Sequence, residues 1–288
     1  MRFRQPVAEI IKQRFSCRAY RPVPVEPAAR RRLEDVAASF ATGPFGAPLR
    51  FKLVAADAKD SKELKGLGTY GMIRDAAGFI LGAAAPGDRN LEDFGYRMEE
   101  IILFATDLGL GTCWLGGNFT RSTFSARMGL RDGEELPAVT SVGHIPDEPR
   151  LMDRLIRRIA GAHGRLPWQQ LFFDGHFGAA LSPEAAGAYA LPLEMVRLGP
   201  SATNKQPWLV IKGDNTWHFY LQRTPGYGQG LNKMFVKSDL QRLDMGIALC
   251  HFELTAREAG LDGRWVLDEP GLTRPDALTE YTASWVEA

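Results

Sequence analysis

The chain has 288 residues, 35 basic against 34 acidic side chains, and 45% hydrophobic residues. That length can bury a core in one large domain or two medium ones, and the ordinary composition excludes a fibrous or disordered chain. A net charge of +1 excludes a sequence-independent pull toward nucleic acid or an anionic membrane surface.

Val7, Ile10, Ile11 and Phe15 recur at helical spacing behind Pro6, and a second helix follows Pro27 with Leu33, Val36, Ala37 and Phe40 on one face. Phe51 to Ala55 and Gly78 to Ala83 read as buried strands. Leu91 to Leu108 is the longest periodic segment, ended by Gly109 as a C′ residue. Cys113-Trp-Leu115 is extended and broken by Gly116-Gly117; Val139 to Val142 is a further strand, closed by Gly143.

The second half repeats this plan. Shifted by 151 positions, Asp93 meets Asp244, Gly95 meets Gly246 and Leu103 meets Leu254. Ala105, Gly109, Leu110 and Trp114 likewise meet Ala256, Gly260, Leu261 and Trp265, seven identities in the 22 positions from 93 to 114. That exceeds what a shared amphipathic pattern requires, because it includes helix-ending glycines and both tryptophans. An offset of 159 lays Pro48-Leu-Arg-Phe-Lys-Leu-Val over Pro207-Trp-Leu-Val-Ile. The repeat reads as an internal duplication of an α+β unit of roughly 140 residues.

Gly199-Pro-Ser-Ala-Thr-Asn-Lys-Gln-Pro-Trp208 concentrates hydroxyls, amides and two prolines in one turn before the apolar run Trp208 to Ile211. Such a turn offers polar groups to a flat, polar partner from a rigid scaffold. Cys17, Cys113 and Cys250 are scattered without CxxC spacing, and the five histidines form no metal-binding pattern. These features, with no secretory h-region and no run of about 20 apolar residues, lead to a cytoplasmic expectation with no metal. The basic clusters at Arg14 to Arg21 and Arg154 to Arg165 read mainly as solvated helix faces. Glu99-Glu100 is not a paired acid and base, since adjacent helical residues share no face and one is expected in solvent. Gly109-Leu-Gly-Thr lacks a phosphate-loop pattern.

Three motifs resemble those of flavin-dependent nitroreductases: Arg14-Phe-Ser-Cys-Arg18, Leu108-Gly-Leu-Gly-Thr-Cys-Trp-Leu-Gly-Gly117 and the Pro200 to Trp208 turn. The resemblance implies an intertwined assembly with FMN at the junction. One unit supplies the arginine–serine and glycine motifs, and the other supplies the turn. Here the first half has Gly43-Pro-Phe-Gly-Ala-Pro48 in place of the polar turn, and the second half has Phe173-Asp-Gly-His-Phe-Gly178 in place of the arginines. This complementary loss is similar to tandem, single-chain family members that retain one composite FMN site. The same resemblance implies an α+β architecture of two tandem α/β-sandwich half-units, 1–168 and 169–288, packed as a pseudo-dimer around antiparallel or mixed sheets.

The resemblance implies phosphate donors at Arg14, Ser16 and Arg18, with Arg165 as a further one. The alternative for Arg14 and Arg18 is to close the first helix and complement its dipole. Pro200, Ser201, Ala202, Asn204 and Gln206 would face the isoalloxazine and ribityl chain, and Leu115, Gly116 and Gly117 would let backbone approach the ring. Gly116 stands where the family usually has an acid. No side chain is required as acid, base or nucleophile, because the flavin carries the electrons.

The expected function is transfer of a hydride from NADH or NADPH through FMN to an electron-poor small molecule such as a nitroaromatic or a quinone. A monomer is expected, without nucleic-acid or membrane partners, and Thr224 to Lys237 is a candidate cover. The alternatives are another flavin chemistry on this fold, or a flavin-binding or degenerate interaction protein without catalysis.

Overall fold

A computed structural model describes residues 3–55, 64, 67–147, 164–227 and 237–288. Prolines start the first two helices, where a missing N–H costs nothing: Pro6 precedes α1 (Val7–Gln13) and Pro27 opens α2 (Pro27–Ser39). Both helices end sooner than their apolar spacing suggests. Arg14 and Phe40 are extended at the C-caps, so Phe15 and Phe40 lie beyond the helical turns.

The first sheet contains β1 (Leu49–Ala55), β2 (Gly78–Ala84), β3 (Leu110–Leu115) and β4 (Val139–His144), in the order β1-β2-β4-β3 and antiparallel throughout. Its two faces are both covered. α2 and α3 (Asn90–Asp107) pack on one side, while α4 (Arg121–Met128) supplies Phe124 and Met128 to the other. Every residue of β2 is therefore buried, which is why that strand reads as an unbroken apolar run. Gly143 does not close β4 but lies within it, because a Cβ there would meet the ring of Tyr20.

The second half has short helices α5 (Trp168–Leu171) and α6 (Pro183–Ala186), then α7 (Ala190–Arg197) and the long α8 (Leu240–Glu258). Its sheet contains β5 (Phe172–Asp174), β6 (Trp208–Lys212), β7 (Thr216–Gln222), β8 (Gly263–Val266) and β9 (Thr279–Glu287). The order is β5-β6-β7-β9-β8, antiparallel except for β5 beside β6. Without β5, this is the strand order of the first sheet. The long helices end alike, with Gly109 at φ 82° and Gly260 at φ 75°.

α3 packs lengthwise on α8, and α1 crosses between the halves. Val7, Ile10 and Ile11 join the core built from Leu249, Phe252 and Trp285, and the Val7 N–H donates to the Glu258 carboxylate at 2.9 Å. The N-terminal segment thus folds against the C-terminal half, and the arginine motif that follows α1 is delivered to the seam between them.

Candidate functional site

The turn after α7 is tightly determined. Ser201 is extended, and a short 3₁₀ turn follows over Ala202–Asn204. Thr203, Asn204 and Gln206 have φ of 51°, 55° and 51°, three of the five non-glycine residues with positive φ among the described residues. Backbone in that region is strained for side-chain-bearing residues and persists only when its surroundings fix it. The surroundings are visible. The Ala202 N–H donates to the Asp244 carboxylate at 2.9 and 3.1 Å, and the Gln206 N–H donates to Ser201 Oγ at 2.8 Å. Asp244, on α8, is buried, which pushes its pKa well above the carboxylate range.

Gln206 and Asn204 tie the turn to the segment at 164–166. Gln206 Oε1 accepts the Leu166 N–H at 2.9 Å, and Nε2 donates to the Gly164 and Asn204 carbonyls. Gln206 is buried, so its amide holds protein in place and does not face outward. Asn204 Nδ2 donates to the Gly164 carbonyl at 2.8 Å, and its Oδ1 accepts from Arg165 at 2.7 Å. Arg165 also donates to the Leu198 carbonyl at 2.8 Å. Pro200, Ser201 and Ala202 remain half-buried along the turn.

The arginine motif runs beside β3. Ser16 bridges Thr112, the Cys17 N–H donates to the Thr112 carbonyl at 2.8 Å, and Ala19 bridges Arg74. Burial raises the pKa of Cys113, against the opposing pull of Arg18, Arg14 and a hydrogen bond with Ser16. Arg14, Ser16 and Arg18 are therefore gathered around one position on the strand and are not spread over a solvated face. Arg14 is itself almost wholly buried as a side chain.

Arg165 joins the two motifs. Burial first, then Arg14, then Arg197, push its pKa down to about 10. A guanidinium whose charge is disfavoured by burial and by neighbouring guanidinium groups is suited to an anion with several oxygens. The donor set therefore fits a phosphate monoester, held between first-half arginines and an arginine bonded to the second-half turn.

Leu115, Gly116 and Gly117 follow at the end of β3, where Leu115 pairs with Val139. The place a Cβ at Gly116 would take is filled by Leu240 Cδ1, 2.5 Å away, and Gly117 is half-buried. Gly116 thus lies directly against the Leu240 side chain of α8.

Glu99 and Glu100 depart from expectation, because both are buried. Glu99 accepts from the Trp114 indole at 2.7 Å and faces His251 at 3.0 Å; Glu100 accepts from Arg97 at 2.7 Å. The reason is α8, which covers the side of α3 that an isolated helix would expose. Burial raises the pKa of Glu99, but His251, Arg14 and Trp114 together outweigh it and hold the group below its ordinary value.

Of the candidate cover, Thr224 to Tyr227 and Lys237 are described, and 228–236 lie outside the described residues, as do 154–163 of the second basic cluster. Tyr227 bonds the Thr203 side chain and packs against the first-half core, a contribution that no motif signals. Among the described residues, no helix is long and apolar enough to cross a membrane.

A family model described as "Putative TM nitroreductase" matches residues 6–256. A solved structure from Thermotoga maritima, described as a "putative nitroreductase", superposes with a TM-score of 0.59 at 18% identity, over 99% of this chain and 95% of that one. A nitroreductase family protein from Clostridium difficile is 23% identical over 58% of this chain and 94% of that one, with a TM-score of 0.40. A nitroreductase from Bacteroides fragilis, solved with bound FMN, is 20% identical over 51% and 92%, with a TM-score of 0.38. No curated protein matches the sequence.

Proposed function

The chain belongs to the nitroreductase family, and on that premise we propose that it is an FMN-dependent oxidoreductase with one flavin site between its two halves. The observation that carries this reading is Arg165, bonded to Asn204 of the second-half turn and close enough to Arg14 of the first-half motif for the charges to oppose one another. Arg14, Ser16, Arg18 and Arg165 would hold the phosphate. Pro200, Ser201, Ala202 and Asn204 would meet the ribityl chain and ring, with Leu115, Gly116 and Gly117 on the β3 side. Gln206 would act by fixing the segment that carries Arg165.

When bound, FMN supplies two-electron transfer from NADH or NADPH to an electron-poor acceptor such as a nitroaromatic or a quinone. The protein's part is to bind and orient, and to exclude water with the apolar residues around β3 and α8.

A single site is supported by how the equivalent turn is used. Asp93 accepts the Phe45 and Ala47 N–H groups at 2.8 Å, as Asp244 accepts that of Ala202. Where the second half presents small Ala202, the first presents Phe45, which packs against the opposite core together with Phe3. We read units 1–168 and 169–288 as a fused pair, and the chain as a monomer that contains its own dimer interface.

Purified protein tests the reading. One FMN per chain, reducible by NADH or NADPH, is expected. Two flavins would refute the single site, and a colourless chain that cannot be reconstituted would leave a protein of this fold without flavin chemistry.

A further inference from the structure

Glu99 and His251 form a buried pair across the two long helices. On α8, both ring nitrogens of His251 face oxygen acceptors: Nδ1 lies 2.9 Å from the Met195 carbonyl in α7, and Nε2 lies 3.0 Å from Glu99 Oε1. Both side chains are completely buried. Glu99 Oε2 accepts the Trp114 indole N–H at 2.7 Å, and Arg14 Nε lies 3.7 Å from Oε1. A buried carboxylate is tolerated only where it is met by hydrogen bonds and opposite charge, and here the Trp114 indole, the His251 ring and the Arg14 guanidinium arrive from three separate segments. Gly199, at the head of the turn, packs on the same imidazole, since a Cβ there would lie 3.7 Å from Nδ1. Hydrogen bonds therefore link the Met195 carbonyl of α7 through His251 to Glu99, and an ion pair links Glu99 to the first-half guanidinium.

We propose that Glu99 is a positioning residue that aims Arg14 at the phosphate end of the flavin, with His251 setting Glu99 from the opposite half. This rests on the flavin reading above. The Glu99–His251 pair is wholly buried and bonded to protein groups, so it is not itself part of a phosphate's donor set. What it supplies is direction. An arginine that binds phosphate through a planar fork loses much of its effect when that plane turns. Arg14 is anchored by its Nε side, which is the geometry that leaves the terminal nitrogens to a ligand.

The test compares FMN with riboflavin, which lacks the phosphate. Glu99→Gln keeps the size of the side chain and one acceptor. It loses the second acceptor and the carboxylate charge that faces Arg14 Nε. Titration of flavin-free protein should show FMN affinity falling roughly ten- to a hundredfold, with riboflavin affinity unchanged. His251→Gln retains a donor toward Glu99 and should give the same selectivity with a smaller loss, which decides the matter if Glu99→Gln does not fold. In an Arg14→Gln background, Glu99→Gln should have no further effect on FMN.

Equal losses for both flavins, or full FMN affinity in both variants, would overturn the proposal while leaving the flavin site standing. A wild-type chain that binds neither flavin would remove the flavin reading and this inference with it.

Discussion

Gly95 on α3 and Gly246 on α8 occupy reciprocal positions. The space a Cβ would need at Gly95 holds the Leu243 carbonyl oxygen, and at Gly246 it holds that of Glu92. Gly95 and Gly246 are 151 positions apart, as are Glu92 and Leu243. A contact in which each residue meets the other's equivalent is what a two-fold interface produces, which supports the fused-pair reading. Gly95→Ala and Gly246→Ala should each cost about 1–3 kcal/mol, because the added methyl meets backbone and not a movable side chain. Moving the helices apart relieves both clashes, so the double variant should cost less than the sum in urea denaturation. Strictly additive losses would mean that the two contacts yield independently.

Asp93 should leave a mark on the pH dependence of stability. Burial raises its pKa to about 6 from 3.8, against the opposing hydrogen bonds from Phe45 and Ala47. An acid with a raised folded-state pKa binds its proton more readily when folded. Its contribution to stability therefore grows as pH falls from about 6 toward 4, and is absent above that window. Above it, the folded chain carries a buried charge that costs on the order of 2–3 kcal/mol at about 1.4 kcal/mol per unit. Asp93→Asn removes the titration, so wild type should gain on the variant as pH falls through the window. A constant difference between the two across that range would show that Asp93 titrates like an exposed carboxylate.

What the sequence could show was local. Leu91 to Leu108 and its closing Gly109 were legible because a 3.6-residue period and a C′ glycine need no partner to be recognised. The Pro200 to Trp208 turn was legible for the same reason. Glu99 and Glu100 were misjudged because their burial is imposed by α8, some 150 positions away. Gly143 looked like a strand end because nothing nearby in sequence announces Tyr20. Gln206 was expected to face a ligand, yet its amide binds Gly164 and Leu166, a choice set by where the chain returns. The 151-residue repeat was the exception, a long-range pattern written in the sequence, and two of its matched residues, Gly95 and Gly246, lie on the helices α3 and α8 that pack together.

Arg18→Ala and Arg165→Ala should each weaken FMN binding by roughly ten- to a hundredfold, since each would remove a charge-assisted partner of a partly buried phosphate. The two should differ in a second respect. Arg165 also bonds Asn204 and the Leu198 carbonyl, so its loss frees the turn and should weaken riboflavin as well. Arg18 has no such tie to the turn among the contacts described, and Arg18→Ala should spare riboflavin. Flavin fluorescence titration of both ligands separates the cases. Unchanged FMN affinity in both variants would place the phosphate elsewhere.

Thr203 offers a test in which stability and affinity part company. A β-branched residue at φ 51° and ψ 26° carries strain of about 1–3 kcal/mol. Thr203→Gly removes that strain but adds unfolded-state entropy worth roughly 0.5–1 kcal/mol. The flavin-free chain should therefore hold its stability or gain up to about 1 kcal/mol. FMN affinity should fall, because a turn now free to wander must be ordered when the ligand binds. Urea midpoints and flavin titrations on the same variant read the two quantities separately. A loss of stability would instead mean that the Thr203 hydroxyl, bonded to the Ala202 carbonyl at 2.8 Å and to Tyr227, outweighs the strain it accompanies.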